Sequence, residues 1–244
     1  MLFNSYPFIC LFLPITLWGF WLLSRTNPSL VPLWLAAASL FFYGWWNPSY
    51  LVLLTASISA NYFAGYTIDR QVGKTKQVSI GICVGANLAL LGYYKYTNFF
   101  VSNLDHLIGN NWEIDKIILP LGISFFTFTQ IAFLVDVYQG KVKEYNFINY
   151  LLFVTYFPHL IAGPVLHHQD MMPQFKPSNI KHHPPQVATG LIILAIGLIK
   201  KVLLADGIVN YVNVIFGAVG EHISLTFAEA WLGALAYTLQ LYFD

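Results

Sequence analysis

The sequence predicts an all-α fold: a polytopic transmembrane helical bundle with a broken or re-entrant segment near 157–170. Three observations carry that expectation. Hydrophobic residues make up 57% of the 244 positions and charged residues 9%, with a mean hydropathy of +0.60, a balance far from that of a soluble domain. Apolar runs of about 20 residues, the length that crosses a bilayer, recur along the chain. At the end of one of them, "FPHLIAGPVLHHQD" at 157–170 gathers two prolines, a glycine, three histidines and an aspartate.

Taken in order, the runs place spans near 6–24, 30–46, 48–66, 77–94, 117–136, 147–166, 187–205 and 225–243. That is about eight helices. The first is expected to remain as a helix, because "MLFNSYPF" has no basic leader and no small-residue cleavage site follows. "GIVNYVNVIFGAVG" at 207–220 is apolar but short and carries asparagines, so it reads as an interfacial or re-entrant piece and not as a ninth span. No long polar linker interrupts the chain, and residues 1–244 are expected to form a single membrane domain.

Charge sets the orientation. The net charge is +1, and the basic residues are scattered between apolar runs, which excludes the basic field of a nucleic-acid-binding protein. Of the 12 Lys and Arg, one set of alternate loops holds eight: Arg25, Arg70, Lys74, Lys76, Lys141, Lys143, Lys200 and Lys201. The other holds four: Lys95, Lys116, Lys176 and Lys181. Because cytoplasmic loops collect Lys and Arg, the N-terminus is expected outside the cytoplasm. The opposite loop carries Asp105, Glu113 and Asp115, and "GYYKY" at 92–96 has the aromatic and snorkelling-lysine pattern of an interface. Cys10 and Cys83 each lie in an apolar run and read as small buried hydrophobes rather than a disulfide or a zinc site.

The segment at 157–170 is the strongest candidate site. Pro158 and Pro164 each remove a backbone donor and Gly163 loosens the turn between them, so regular helix is not expected through "PHLIAGP". Irregular backbone at membrane depth survives only where protein or a water-filled cavity satisfies its polar groups. His159 sits in this break. One reading is a polar cavity lined by His159 and the freed carbonyls; the other is a proline-kinked helix whose histidine bonds a neighbour. His167, His168 and Asp170, with "HHPP" at 182–185, read as solvated loop and not as a metal site, since adjacent histidines chelate poorly without flanking ligands. "MMPQF" at 171–175 reads as a piece resting on the membrane surface.

Polar residues inside other spans read as packing elements. Ser124, Thr127, Thr129 and Gln130 dot the span that Asp136 closes, and Asn61, Asn87 and Glu229 occupy others; such side chains hydrogen-bond across transmembrane interfaces. No Gly-x-Ser-x-Gly elbow and no phosphate-binding loop occur in the sequence. No histidine is followed five positions on by aspartate. A transporter or flippase would share these spans, although the two halves of the chain show no matching Gly/Pro-interrupted pair. A non-catalytic scaffold that holds partner proteins is a further reading.

Four stretches carry a family resemblance: "FFYGWWNPSYLVLLTASISANYFAG" at 41–65, "LGYYKYTNFF" at 91–100, "ILPLGISFFTFTQIAFLVDVYQGK" at 118–141 and "FPHLIAGPVLHHQDMMPQF" at 157–175. Together they resemble the membrane-bound O-acyltransferases, in particular the bacterial branch of alginate O-acetyltransferases. The resemblance implies an acetyl relay. Acetyl-CoA serves as donor substrate on the cytoplasmic side, with no bound cofactor, and the acetyl group passes through a tunnel in the bacterial inner membrane. Periplasmic acetyltransferase partner proteins then place it on a polysaccharide such as alginate. His159, Pro158, Gly163 and Pro164 become tunnel-lining candidates. The histidine at 159 stands where this branch often has Gln, and the family's catalytic histidine is expected downstream of Asp244. The resemblance therefore gives no position here the catalytic role, and implies that the chain is the N-terminal part of a longer enzyme, inactive alone.

Overall fold

The structure, a computed structural model, describes residues 1–108, 117–142, 146–161, 163, 168–180, 184–221 and 223–244. Pro164, His167, His182 and His183 lie outside the described residues, as do Glu113, Asp115, Lys116, Lys143 and Lys181. Among the described residues there is no strand. The helices are α1 (Leu13–Thr26), α2 (Val31–Gly44), α3 (Pro48–Asp69), α4 (Gly73–Ile108), α5 (Ile123–Tyr138), α6 (Phe147–Thr155), α7 (Phe157–Leu160), α8 (His168–Met171), α9 (Pro184–Ile199), α10 (Asp206–Gly220) and α11 (Phe227–Phe243). The chain divides into two compact units, one of Met1 with Pro14–Lys181 and one of Leu2–Leu13 with His182–Asp244.

The larger unit is built around α5. Nine of its side chains are buried, among them Phe126, Thr127, Gln130, Phe133, Asp136 and Val137, so no face of it is left wholly to lipid. Helix α3 packs one stripe inward, with Leu54, Ile58, Asn61, Gly65 and Ile68 buried at alternating steps of four and three, the spacing of a single helix face. Gly65 lets α3 close on α5, since a Cβ there would meet the Phe133 ring at 2.8 Å. In the same way Gly19 of α1 lies under the Trp34 ring, whose indole N–H donates to the Thr16 carbonyl at 3.0 Å. Lipid tails are as apolar as these side chains, so close packing and interhelical hydrogen bonds, more than water exclusion, hold such helices together.

Local sequence explains the helix ends. Asn47 accepts from the Ser49 N–H at 2.9 Å, with Pro48 at the first helical position, and Asn146 accepts from Ile148 and Asn149; both are standard N-caps. At the start of α11, Thr226 and Glu229 form a reciprocal capping box. Glu229 is thus exposed and occupied in capping its own helix.

Several expected spans are reshaped. The run expected at 77–94 belongs to the 36-residue α4, which at ~1.5 Å per residue extends about 54 Å, well beyond the ~30 Å hydrocarbon layer. The pieces at 187–205 and 207–220 are one helix: six π-helical residues, Lys200–Ala205, join α9 to α10, and the run Gln186–Gly220 is 35 residues long. Asn210 and Asn213 break nothing: both lie within the regular helix α10, after the wider turn. Around that turn Lys201 pairs with Asp206 at 2.9 Å and with Asp244 at 2.5 Å. The expected span 147–166 is not continuous, since α6 is nine residues long and stops at Thr155. Among the described residues, four helices are long and apolar enough to cross a membrane: Phe8–Thr26, Pro48–Asp69, Gly73–Asp105 and Gln186–Gly220. Pro28–Gly44 and Ile123–Tyr138 are shorter apolar helices. Cys10 is exposed, not buried, and Cys83 is half-buried.

Candidate functional site

The break begins two residues ahead of Pro158. Tyr156 leaves helical geometry with φ −50° and ψ 109°, and Phe157 and Pro158 start the four-residue turn α7. Proline suits that first turn, where a backbone N–H has no partner within the helix. Breaking a helix orphans backbone donors, and here a side chain from another helix meets one of them: the Phe157 N–H donates to the Ser39 hydroxyl of α2 at 3.2 Å. The Tyr156 carbonyl accepts from His159 and Leu160, both at 3.1 Å. Phe157 and Leu160 are buried, whereas Pro158 is exposed and His159 and Gly163 are half-buried. The segment is therefore packed in protein on one side and open on the other.

His159 is fixed by its neighbours. Its Nε2 lies 3.2 Å from the Phe153 carbonyl; a carbonyl only accepts, so Nε2 carries the proton and donates. The other nitrogen, Nδ1, is then an acceptor, and it is buried without a hydrogen-bond partner. Tyr156 packs on the imidazole with ring centroids 5.6 Å apart. Gly163 returns the chain against it, and a Cβ there would stand 3.1 Å from the His159 Cβ.

A second irregular segment, 117–122, meets this one. Asn98 of α4 holds it in two directions, donating to the Ile117 carbonyl at 2.7 Å and accepting from the Ile117 N–H at 3.1 Å. Tyr50 donates to the Ile118 carbonyl at 2.9 Å, and Tyr43 to the Leu121 carbonyl at 3.1 Å. Gly122 then turns the chain into α5 with φ +68°, and a Cβ on it would lie 2.8 Å from the Leu160 carbonyl oxygen. Only glycine meets both demands without strain. Two stretches of non-helical backbone thus touch, and side chains of α2, α3 and α4 satisfy their polar groups, as irregular backbone in a membrane requires.

A third polar feature crosses the middle of the unit. Asn61 of α3 donates to Asn87 of α4 at 3.1 Å and to Gln130 of α5 at 2.7 Å, and Asn87 donates back to Asn61 at 2.7 Å. Ser57 donates to the same Gln130 oxygen at 3.3 Å. The Gln130 amide nitrogen is buried without a partner. A cleft of about 270 Å³ adjoins the group, lined by Ser57, Asn61, Asn87, Cys83, Leu90 and small alanines.

Of the residues expected to line a tunnel, the structure brings His159 and Gly163 into contact and leaves Pro158 facing out; Pro164 lies outside the described residues. His168 corrects an expectation. It is 8% exposed and wedged between the rings of Phe133 and Phe153, at 5.5 and 5.2 Å, because α8 folds back onto the core instead of standing in solvent. Met171 and Met172 are buried with it, so "MMPQF" packs inward rather than resting on a membrane surface. Sequence reasoning also missed Ser39, Tyr43, Tyr50 and Asn98, whose only local signal was a hydroxyl or amide beside an apolar run.

An all-α, multi-pass helical protein whose irregular backbone is braced from within is an integral membrane protein. The model of the membrane-bound O-acyltransferase family (MBOAT) matches residues 112–244, and the chain belongs to that family. All of it aligns with a peptidoglycan O-acetyltransferase of Helicobacter pylori at 41% identity, covering 51% of that protein. It aligns equally fully with the proteins named "Probable alginate O-acetylase AlgI" of Pseudomonas aeruginosa, at 37% identity over 46% of that protein, and of Pseudomonas putida, at 38% over 50%. The chain therefore spans about half the length of the curated relatives it matches. No solved structure matches it.

Proposed function

We propose that this chain forms the membrane-embedded part of an O-acetyltransferase that carries acetyl groups from a cytoplasmic donor, acetyl-CoA, to an extracytoplasmic polysaccharide such as alginate. The carrying observation is the alignment of the whole chain with relatives named as O-acetylating enzymes of alginate and peptidoglycan. In this reading residues 1–244 act as one domain in the bacterial inner membrane, with the N-terminus on the periplasmic side and periplasmic acetyltransferase proteins as partners. The irregular segments 117–122 and 156–161 form tunnel wall, with the half-buried His159 on it. His159 lines and orients. General acid–base activation of an acceptor hydroxyl, which typically contributes about 10²–10⁴-fold, belongs to a histidine in the half of the family length beyond Asp244.

Acetyl incorporation into an exopolysaccharide, measured for the 244-residue chain, for the chain extended to the relatives' full length, and for His159→Gln in the extended protein, tests this. The extended protein and its variant are expected to transfer acetyl, and the 244-residue chain is not. Robust transfer by the short chain that His159→Gln abolishes would place the chemistry here and overturn the assignment.

A further inference from the structure

The end of the larger unit at which α3 finishes, α4 begins and α5 finishes is strongly and unequally charged. Lys76 near the start of α4 lies with its Nζ 5.4 Å from the ring centroid of Tyr138, the last residue of α5, so the two helix ends are neighbours. Lys141 follows Tyr138 by three residues across Gly140, which turns the chain at φ +71°. On the other flank the Arg70 guanidinium lies 3.8 Å from the Tyr66 ring centroid and donates to the Tyr66 hydroxyl, and Lys74 stands in the first turn of α4. Arg70, Lys74 and Lys141 are exposed and Lys76 half-buried. None of the four makes an ion pair among the described residues. Three carboxylates are near in sequence: Asp69, which is exposed, Asp136, which is 1% exposed inside the core, and Glu144, which lies outside the described residues. Exposed apolar side chains flank the cations, with Val72 at 84% and Val78 at 59% exposure.

Four cations, two of them (Arg70 and Lys76) against tyrosine rings, beside exposed valines form a surface that is charged and apolar at once. A soluble phosphate would use only the charges. A phospholipid uses both, its phosphate against the cations and its glycerol and first methylenes against the valines and tyrosine rings. We infer that the α3–α4 turn and the end of α5 bind the headgroup of an anionic phospholipid. Juxtamembrane cations gain roughly fivefold in affinity for anionic lipid for each charge near the surface, so four give a strong preference for phosphatidylglycerol over phosphatidylcholine.

The test is titration of delipidated protein in neutral detergent with each lipid, read as bound-lipid adducts by native mass spectrometry. Wild type is expected to retain phosphatidylglycerol at least tenfold better than phosphatidylcholine. Lys74→Gln, Lys76→Gln and Lys141→Gln should each weaken phosphatidylglycerol roughly fivefold, with Arg70→Gln added last. Lys95→Gln, more than five turns along α4 from Lys76, should change nothing. Should the combined variant not fold, wild type serves alone: its preference for phosphatidylglycerol should fall as salt is raised from low to high ionic strength. Equal retention of the two lipids, salt-independent retention, or a combined variant that binds like wild type would overturn the inference. Displacement of the lipid by millimolar inorganic phosphate would show that the site takes a soluble anion instead.

Discussion

Replacing Asn61 by leucine and Gln130 by methionine should have unequal effects, although the two residues share one hydrogen bond of 2.7 Å. Asn61→Leu removes that bond and both bonds to Asn87, at 3.1 and 2.7 Å. Three interhelical side-chain bonds at ~0.6 kcal/mol each make about 2 kcal/mol, and the Asn87 oxygen is left buried and unpaired. Gln130→Met also removes two bonds, those from Asn61 and Ser57, but it deletes the amide nitrogen that has no partner. The two Asn61 protons can then settle on the Asn87 oxygen and on the Ser57 carbonyl, 3.0 Å away. Removing a buried orphan donor relieves about 1–3 kcal/mol, so the net cost of Gln130→Met should stay below about 1 kcal/mol. With ~2–4 °C per kcal/mol for a chain of this size, thermal unfolding in detergent should shift down by about 4–8 °C for Asn61→Leu and by less than ~3 °C for Gln130→Met. In the double variant the costs should not add, because the shared bond is counted in both singles. A Gln130→Met shift equal to or larger than that of Asn61→Leu, or strict additivity, would refute the hydrogen-bond assignment across α3, α4 and α5.

Gly122→Ala should collapse the yield of folded protein in fluorescence-detected size exclusion, since it adds a Cβ at positive φ and 2.8 Å from the Leu160 oxygen; at Gly81, where nothing lies within 4 Å, the same substitution should be tolerated. Ser39→Ala, which strips the acceptor from the Phe157 N–H, should cost about 1–3 kcal/mol, and Ser39→Thr should recover part of it in the same melting assay. Thr226→Ala should lower stability by ~1 kcal/mol through loss of the cap and leave the larger unit's hydrogen-exchange pattern unchanged. For topology, single cysteines at Lys74 and Trp46, in a background lacking Cys10 and Cys83, should label from opposite faces with an impermeant reagent, and only position 46 should react in intact cells.

Composition and local pattern determined a good deal of this protein. The apolar runs required a helical membrane chain whatever the packing, because backbone polar groups in lipid are satisfied only within helices or closed barrels. Pro158 required a helix boundary within about one turn, and α6 does end three residues before it, at Thr155. The quoted motifs pointed to the acyltransferase family because together they extend over much of the chain. What tertiary structure alone decided involves partners far apart in sequence. Ser39 meets Phe157 across 118 positions, Tyr43 meets Leu121 across 78, and Asn61 meets Gln130 across 69. No local periodicity encodes which of many buried hydroxyls and amides will be opposite one another, since that depends on helix rotation and closeness set by residues such as Gly65 and Gly122. His168 shows the same limit from the other side: its polar neighbours in sequence read as solvated loop, yet α8 folds its ring between Phe133 and Phe153. Nor could composition reveal that a π-helical turn at Lys200–Ala205 joins α9 to α10 without a break, because a wide turn keeps the backbone hydrogen-bonded and leaves no mark in composition.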